Sequence, residues 1–122
     1  MAKTLSLRTF SDPRGNLSVI EDFEIPFKIK RLFYIYGVDG SQRAGHRHKS
    51  TFMALISLKG GFSAYTNNGA EINTFRIDNP NSCLILEPED WHKLYDFDSD
   101  TILLVCASEY FNEDDYVFEE YK

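Results

Sequence analysis

The chain has 122 residues, 43% of them hydrophobic and 15% aromatic, with 13 basic against 19 acidic side chains and a net charge of −6. That make-up predicts one globular domain, 1–122, and excludes a disordered chain. No apolar run approaches the roughly 20 residues of a membrane span, and an acidic chain is ill suited to tracking a nucleic-acid backbone. Residues 1–49 nonetheless carry nine basic and five acidic side chains, against four and fourteen in residues 50–122. The first half can therefore receive a small anionic ligand. The acidic residues near the end (Glu109, Glu113, Asp114, Asp115, Glu119 and Glu120) read as a solvated face. Cys83 and Cys106 lie inside apolar runs and read as buried free thiols. With no export signal expected in the opening residues, they favour a reducing cytoplasm.

In chain order, short apolar blocks predict strands: Leu5 and Leu7, Leu17 and Val19, Leu32 to Tyr36, Thr51 to Leu58, Phe62 and Ala64, Ile72 to Ile77, Leu84 to Leu86, and Ile102 to Val105. Turn clusters separate them at intervals of about ten residues, among them Asp12 to Asn16, Gly37 to Gly40 and Asp78 to Asn81. Regular spacing of that kind points to an all-β sandwich or barrel. Asn68-Gly69 between two such blocks suits a hairpin whose central residues take positive φ. Any helix is expected to be short and C-terminal, with Asn112 capping a turn through Glu113-Asp114-Asp115.

Two of the three histidines, His46 and His48, stand two apart, and on a strand that spacing puts both imidazoles on one face. Flanking Arg43, Arg47 and Lys49 would disfavour their protonated forms and leave neutral bases. The third, His92, follows Trp91 some forty-four residues later. Gly40, His46, His48, Gly60 and His92 together resemble the two cupin motifs, except that Phe52 stands where the first motif places an acid. Three imidazoles can hold zinc or iron, yet the missing carboxylate favours a metal-free site with no cofactor.

The resemblance narrows over nearly the whole chain. Asp12 to Leu17, Ile25 to Ile35, Arg43 to Lys49, Trp91-His92 with Asp96-Phe97, and Ala107 to Phe111 are similar to the dTDP-4-keto-6-deoxyhexose 3,4-ketoisomerases, the WxcM-like cupins of deoxysugar biosynthesis. Phe52 and Arg47 depart from the usual pattern of that family. The resemblance implies a cupin jelly roll (double-stranded β-helix) and a homodimer that exchanges N-terminal strands, with Thr4 to Phe10 at its interface. A dTDP-linked keto sugar is implied as substrate. It makes His48 the base, His46 its acid or partner, and Tyr34 the donor that polarises the carbonyl, although alternation sets Tyr34 opposite Phe33 and Ile35. Arg14 and Arg43 become anion contacts, Trp91 and His92 line the ligand, and Lys49, on the face away from His48, is a weaker contact. A 3,5-epimerase, a metal-dependent cupin and a non-catalytic ligand-binding cupin are the alternative readings.

Overall fold

Burial on both faces explains why some strands read as unbroken apolar runs and others as alternating ones. A computed structural model describes residues 1–122, the side chain of Asp22 excepted. It contains β1 (Lys3–Ser6), β2 (Arg8–Asp12), β3 (Gly15–Val19), β4 (Arg31–Ile35), β5 (Arg43–His48) and β6 (Met53–Lys59). These are followed by β7 (Phe62–Asn67), β8 (Ile72–Ile77), β9 (Ser82–Leu86), β10 (Trp91–Tyr95), β11 (Ile102–Ala107) and β12 (Tyr116–Val117). Two five-stranded sheets result, in the orders β1-β9-β6-β11-β4 and β12-β5-β10-β7-β8, with β2 and β3 forming a separate hairpin. Every pairing is antiparallel. This is the cupin jelly roll that the sequence implied.

The two sheets face one another across a core containing Met53, Leu55, Phe62, Leu84, Leu86, Leu94, Leu103 and Val105. On the far side of the first sheet, Ala54, Ile56, Cys83, Ile85 and Cys106 are covered by Ile25, Phe27 and Ile29 of the segment before β4. Successive residues of β6 thus enter opposite cores, so its sequence Met-Ala-Leu-Ile shows no alternation. Both cysteines are free and buried, as expected. Among the described residues, no helix is long and apolar enough to cross a membrane.

Several expectations need correction. The block expected at Thr51 to Leu58 begins two residues later, and the histidines occupy a strand of their own, β5, on the other sheet. Trp91 to Tyr95, whose mixed sequence gave no strand signal, is the central strand β10. The β7–β8 hairpin forms, but its register leaves a four-residue loop in which only Gly69 has positive φ; the Asn68 side chain instead accepts from the backbone of Ala70 and Glu71. The C-terminal turn is present as a 3-10 turn at Glu113–Asp115, capped by the Asn112 side chain on the Asp114 N–H. A second 3-10 turn at Asp22–Glu24 was not expected. β1 lies along β9 of its own chain, leaving the β2–β3 hairpin without a sheet to join.

Candidate active site

A cavity of about 180 Å3 opens between the sheets, lined on its apolar side by Phe33, Ile35, Met53, Leu55, Leu94 and Val105. Its polar lining is Arg43, His46, His48, His92 and Tyr116. Strict alternation along β5 would send Arg43 away from His46 and His48. The chain breaks that alternation: Ala44 and Gly45 both have positive φ (67° and 85°), and the β5–β10 register slips there, His92 facing His46 while Lys93 faces Ala44. Such a bulge re-aims a side chain. Here it lets an arginine and two imidazoles share one cavity; the left-handed backbone suits Gly45, which has no Cβ, whereas Ala44 adopts it at a steric cost.

The three histidines converge, with ring centroids of His46 4.9 Å from His48 and 5.0 Å from His92. His48 is buried, and its Nδ1 donates to a carboxylate oxygen of Asp115 at 2.9 Å. That carboxylate also accepts from the Ser50 N–H (2.9 Å), the Ser50 hydroxyl (2.9 Å) and the Thr51 hydroxyl (2.5 Å). Burial alone would raise the Asp115 pKa, but the hydrogen bonds from Thr51, Ser50 and His48 outweigh it and hold the carboxyl well below its usual range. An ionised Asp115 fixes His48 with the proton on Nδ1. Nε2 of His48 is left as a buried atom with no partner. Burial lowers the His48 pKa despite Asp115, so the ring is a neutral imidazole with a bare lone pair.

His92 is 1% exposed, and its Nδ1 donates to the Asp90 carbonyl at 3.0 Å. Burial drives its pKa down to about 3 and that of His46 to about 4, the nearby His48 adding to the second shift. The neutrality expected from flanking cations is therefore produced chiefly by desolvation. Arg31, which sequence reasoning left without a role, is the one cation that contributes to the His48 shift. One ligand atom from each histidine lies within 4.8 Å of the others, so the trio could hold a metal ion through nitrogen alone. Asp115 stands behind His48 with four donors already on it and does not complete the carboxylate-containing set.

The cavity brings together Arg43, His46, His48 and His92, and leaves out the other candidates. Tyr34 is 64% exposed and stacks on Tyr36 outside the barrel, because the inward parity of β4 belongs to Phe33 and Ile35. Arg14 stands at the tip of the β2–β3 hairpin, its side chain 90% exposed and paired with Asp12. Trp91 is buried but not in the cavity, its indole donating to the Phe118 carbonyl. Lys49 is exposed and lines no part of it. Asp115, expected on a solvated acidic face, is the buried hydrogen-bond partner of His48.

Residues 1–122 match the family model described as "FdtA: WxcM-like, C-terminal". A TDP-4-oxo-6-deoxy-alpha-D-glucose-3,4-oxoisomerase from Aneurinibacillus thermoaerophilus is 36% identical over 117 residues, spanning 94% of this chain and 84% of that protein. The TDP-quinovose 3,4-ketoisomerase of Campylobacter jejuni superposes with a TM-score of 0.93 at 31% identity, covering 97% of this chain and 92% of the other. A histidine-to-asparagine variant of the 3,4-ketoisomerase from Thermoanaerobacterium thermosaccharolyticum, bound to TDP-4-keto-6-deoxyglucose, superposes at 0.91 with 32% identity, covering 97% and 87%. Family model, sequence relative and fold agree, and the chain belongs to the WxcM-like FdtA family of sugar-nucleotide 3,4-ketoisomerases.

Proposed function

We propose that the domain 1–122 converts a dTDP-linked 4-keto-6-deoxyhexose to its 3-keto isomer, with His48 as the base. The observation that carries this reading is the bare, buried Nε2 of His48, its ring locked by Asp115 beside a cavity that also holds His46 and His92. Moving the carbonyl from C4 to C3 requires removal of the C3 proton, an enediol, and return of a proton to C4. A neutral imidazole near pH 7 suits the first step, and His46, its ring centroid 4.9 Å from that of His48, is its proton-exchange partner. The cavity is smaller than the roughly 300–1,000 Å3 that enclose a whole drug-sized ligand. It therefore seats the sugar, and Arg43 at its rim meets the diphosphate. His92 packs against the sugar as a neutral acceptor. No metal or organic cofactor takes part in this scheme.

The same reading includes a homodimer in the reducing cytoplasm. β4 is an edge strand carrying exposed Leu32 and Tyr34, and the unattached β2–β3 hairpin exposes Phe10 and Leu17. Such edges are normally covered. The exchanged element is then the hairpin, since β1 is satisfied by β9. From the hairpin tip, Arg14 meets a nucleotide only across that dimer. Sedimentation at micromolar concentration reports the assembly, a monomer with full activity being the contrary result. For the reaction itself, the protein is incubated with dTDP-4-keto-6-deoxyglucose in D2O and followed by NMR. Deuterium at C4 of a 3-keto product is expected; label at C5 would mean epimerisation, and no turnover with dTDP bound would mean a binding protein.

A further inference from the structure

Neutral His48 and His92 have one feature in common: each spends its N–H on an acceptor behind it, a carboxylate for His48 and a carbonyl for His92. Toward the cavity both present only a lone pair. The isomerisation, however, builds negative charge on the C4 oxygen as the C3 proton leaves, and that oxygen needs a donor. Arg43 is exposed at the rim. Among the described residues that line the cavity, Tyr116 is the one that carries a hydroxyl. It is also the residue of β12 that pairs directly with His48, and its ring centroid lies 4.8 Å from that of His48 and 4.4 Å from that of His46. Phe111 and Phe118, each 6.1 Å away, pack around the same ring. The tyrosine is half-buried and held by aromatic contacts, as a preorganised donor should be.

We propose that Tyr116 is a catalytic residue whose hydroxyl shuttles a proton between the two sugar oxygens, taking the place that the sequence offered to Tyr34. The proposal rests on the isomerase reading above. In the first half, His48 Nε2 takes the proton from C3, the C3–H electron pair becomes the C3=C4 double bond, and the C4=O π pair moves to the C4 oxygen, which accepts the Tyr116 proton. In the second half, the phenolate takes the proton from the C3 hydroxyl, C3=O forms, and the C3=C4 pair takes a proton at C4 from the His48–His46 pair. Tyrosine and histidines are regenerated, and no electrons leave the sugar.

The test is Tyr116→Phe in the full chain, which keeps the ring and its contacts and removes only the hydroxyl. Loss of one such donor is worth about 10²–10³-fold, so kcat should fall by that factor while dTDP affinity and the melting temperature stay at wild-type values. A kcat within threefold of wild type would overturn the proposal and leave the isomerase reading standing. Absence of wild-type turnover would remove both. If the phenylalanine variant unfolds or loses dTDP, fluorotyrosines at position 116 decide: a rate that follows the acidity of the phenol supports the shuttle, and a rate indifferent to it overturns it.

Discussion

Asp115→Asn tests whether a carboxylate sets the protonation of His48, the proposed base. The Ser50 backbone N–H, 2.9 Å from one carboxylate oxygen, can only donate, so the asparagine must turn its carbonyl oxygen toward Ser50. Its NH2 then faces Thr51 and His48, where the other carboxylate oxygen accepted two hydrogen bonds. The Thr51 hydroxyl can rotate and accept. His48 can accept only by moving its proton from Nδ1 to Nε2, which blocks the lone pair that faces the cavity. Holding the wrong tautomer in a histidine–aspartate pair costs on the order of 10⁴-fold in kcat. Replacing charge-assisted hydrogen bonds should also remove about 1–3 kcal/mol of stability, which lowers the melting temperature by several degrees while the fold is kept. Turnover of dTDP-4-keto-6-deoxyglucose, dTDP affinity and the 15N shifts of His48 are the readouts. A variant that retains kcat within threefold, or whose His48 still carries its proton on Nδ1, would refute the reasoning.

Other outcomes follow from the same geometry. His48→Asn should lower kcat by about 10²–10⁴-fold with dTDP binding retained; full activity would remove the base. Tyr34→Phe, altering a residue outside the cavity, should leave kcat unchanged, and a large loss would mean that the outer face of β4 reaches substrate. The folded-state pKa values of His46 (about 4) and His92 (about 3) lie below the ordinary 6.5, so the unfolded chain binds more protons in that window. Stability from their burial is therefore complete above pH 6.5 and declines as pH falls toward 4 and 3; a melting temperature level from pH 7 to 4.5 would contradict it. Turnover should survive chelator treatment, with elemental analysis finding no stoichiometric metal, and activity lost to chelator and restored by a metal ion would sink the cofactor-free scheme.

The parts of the site legible in the sequence were those set by strand parity and residue type. His46 and His48 had to share a face, and the motif spacing brought His92 to them. Parity also warned against Tyr34, and the structure sides with parity. Asp115 was hidden because three acids in a row, Glu113-Asp114-Asp115, look alike in one dimension. The signal that was present is Asn112: its cap fixes the 3-10 turn, which directs Asp115 inward. Arg43 reaches the cavity through two left-handed residues, and of these only the glycine was suggestive in advance. β10 escaped notice because Trp-His-Lys-Leu-Tyr puts a lysine between two aromatics on one strand face and a histidine beside a lone leucine on the other.

The ladder pattern also governs how the site comes into being. Strand β1 closes on β9, β4 on β11 and β5 on β10, so most pairings join segments far apart in sequence, and the β7–β8 hairpin is a local exception. Long-range closure has an entropic cost that must be met before its contacts form, and chains of this kind fold slowly. His48, His92 and Asp115 come from β5, β10 and the turn before β12, three segments that meet only when the second sheet is complete. During refolding the hairpin can appear early, but His48 has no carboxylate behind it until the last of these closures. Regain of catalysis should therefore lag the regain of β-structure and coincide with the final cooperative phase.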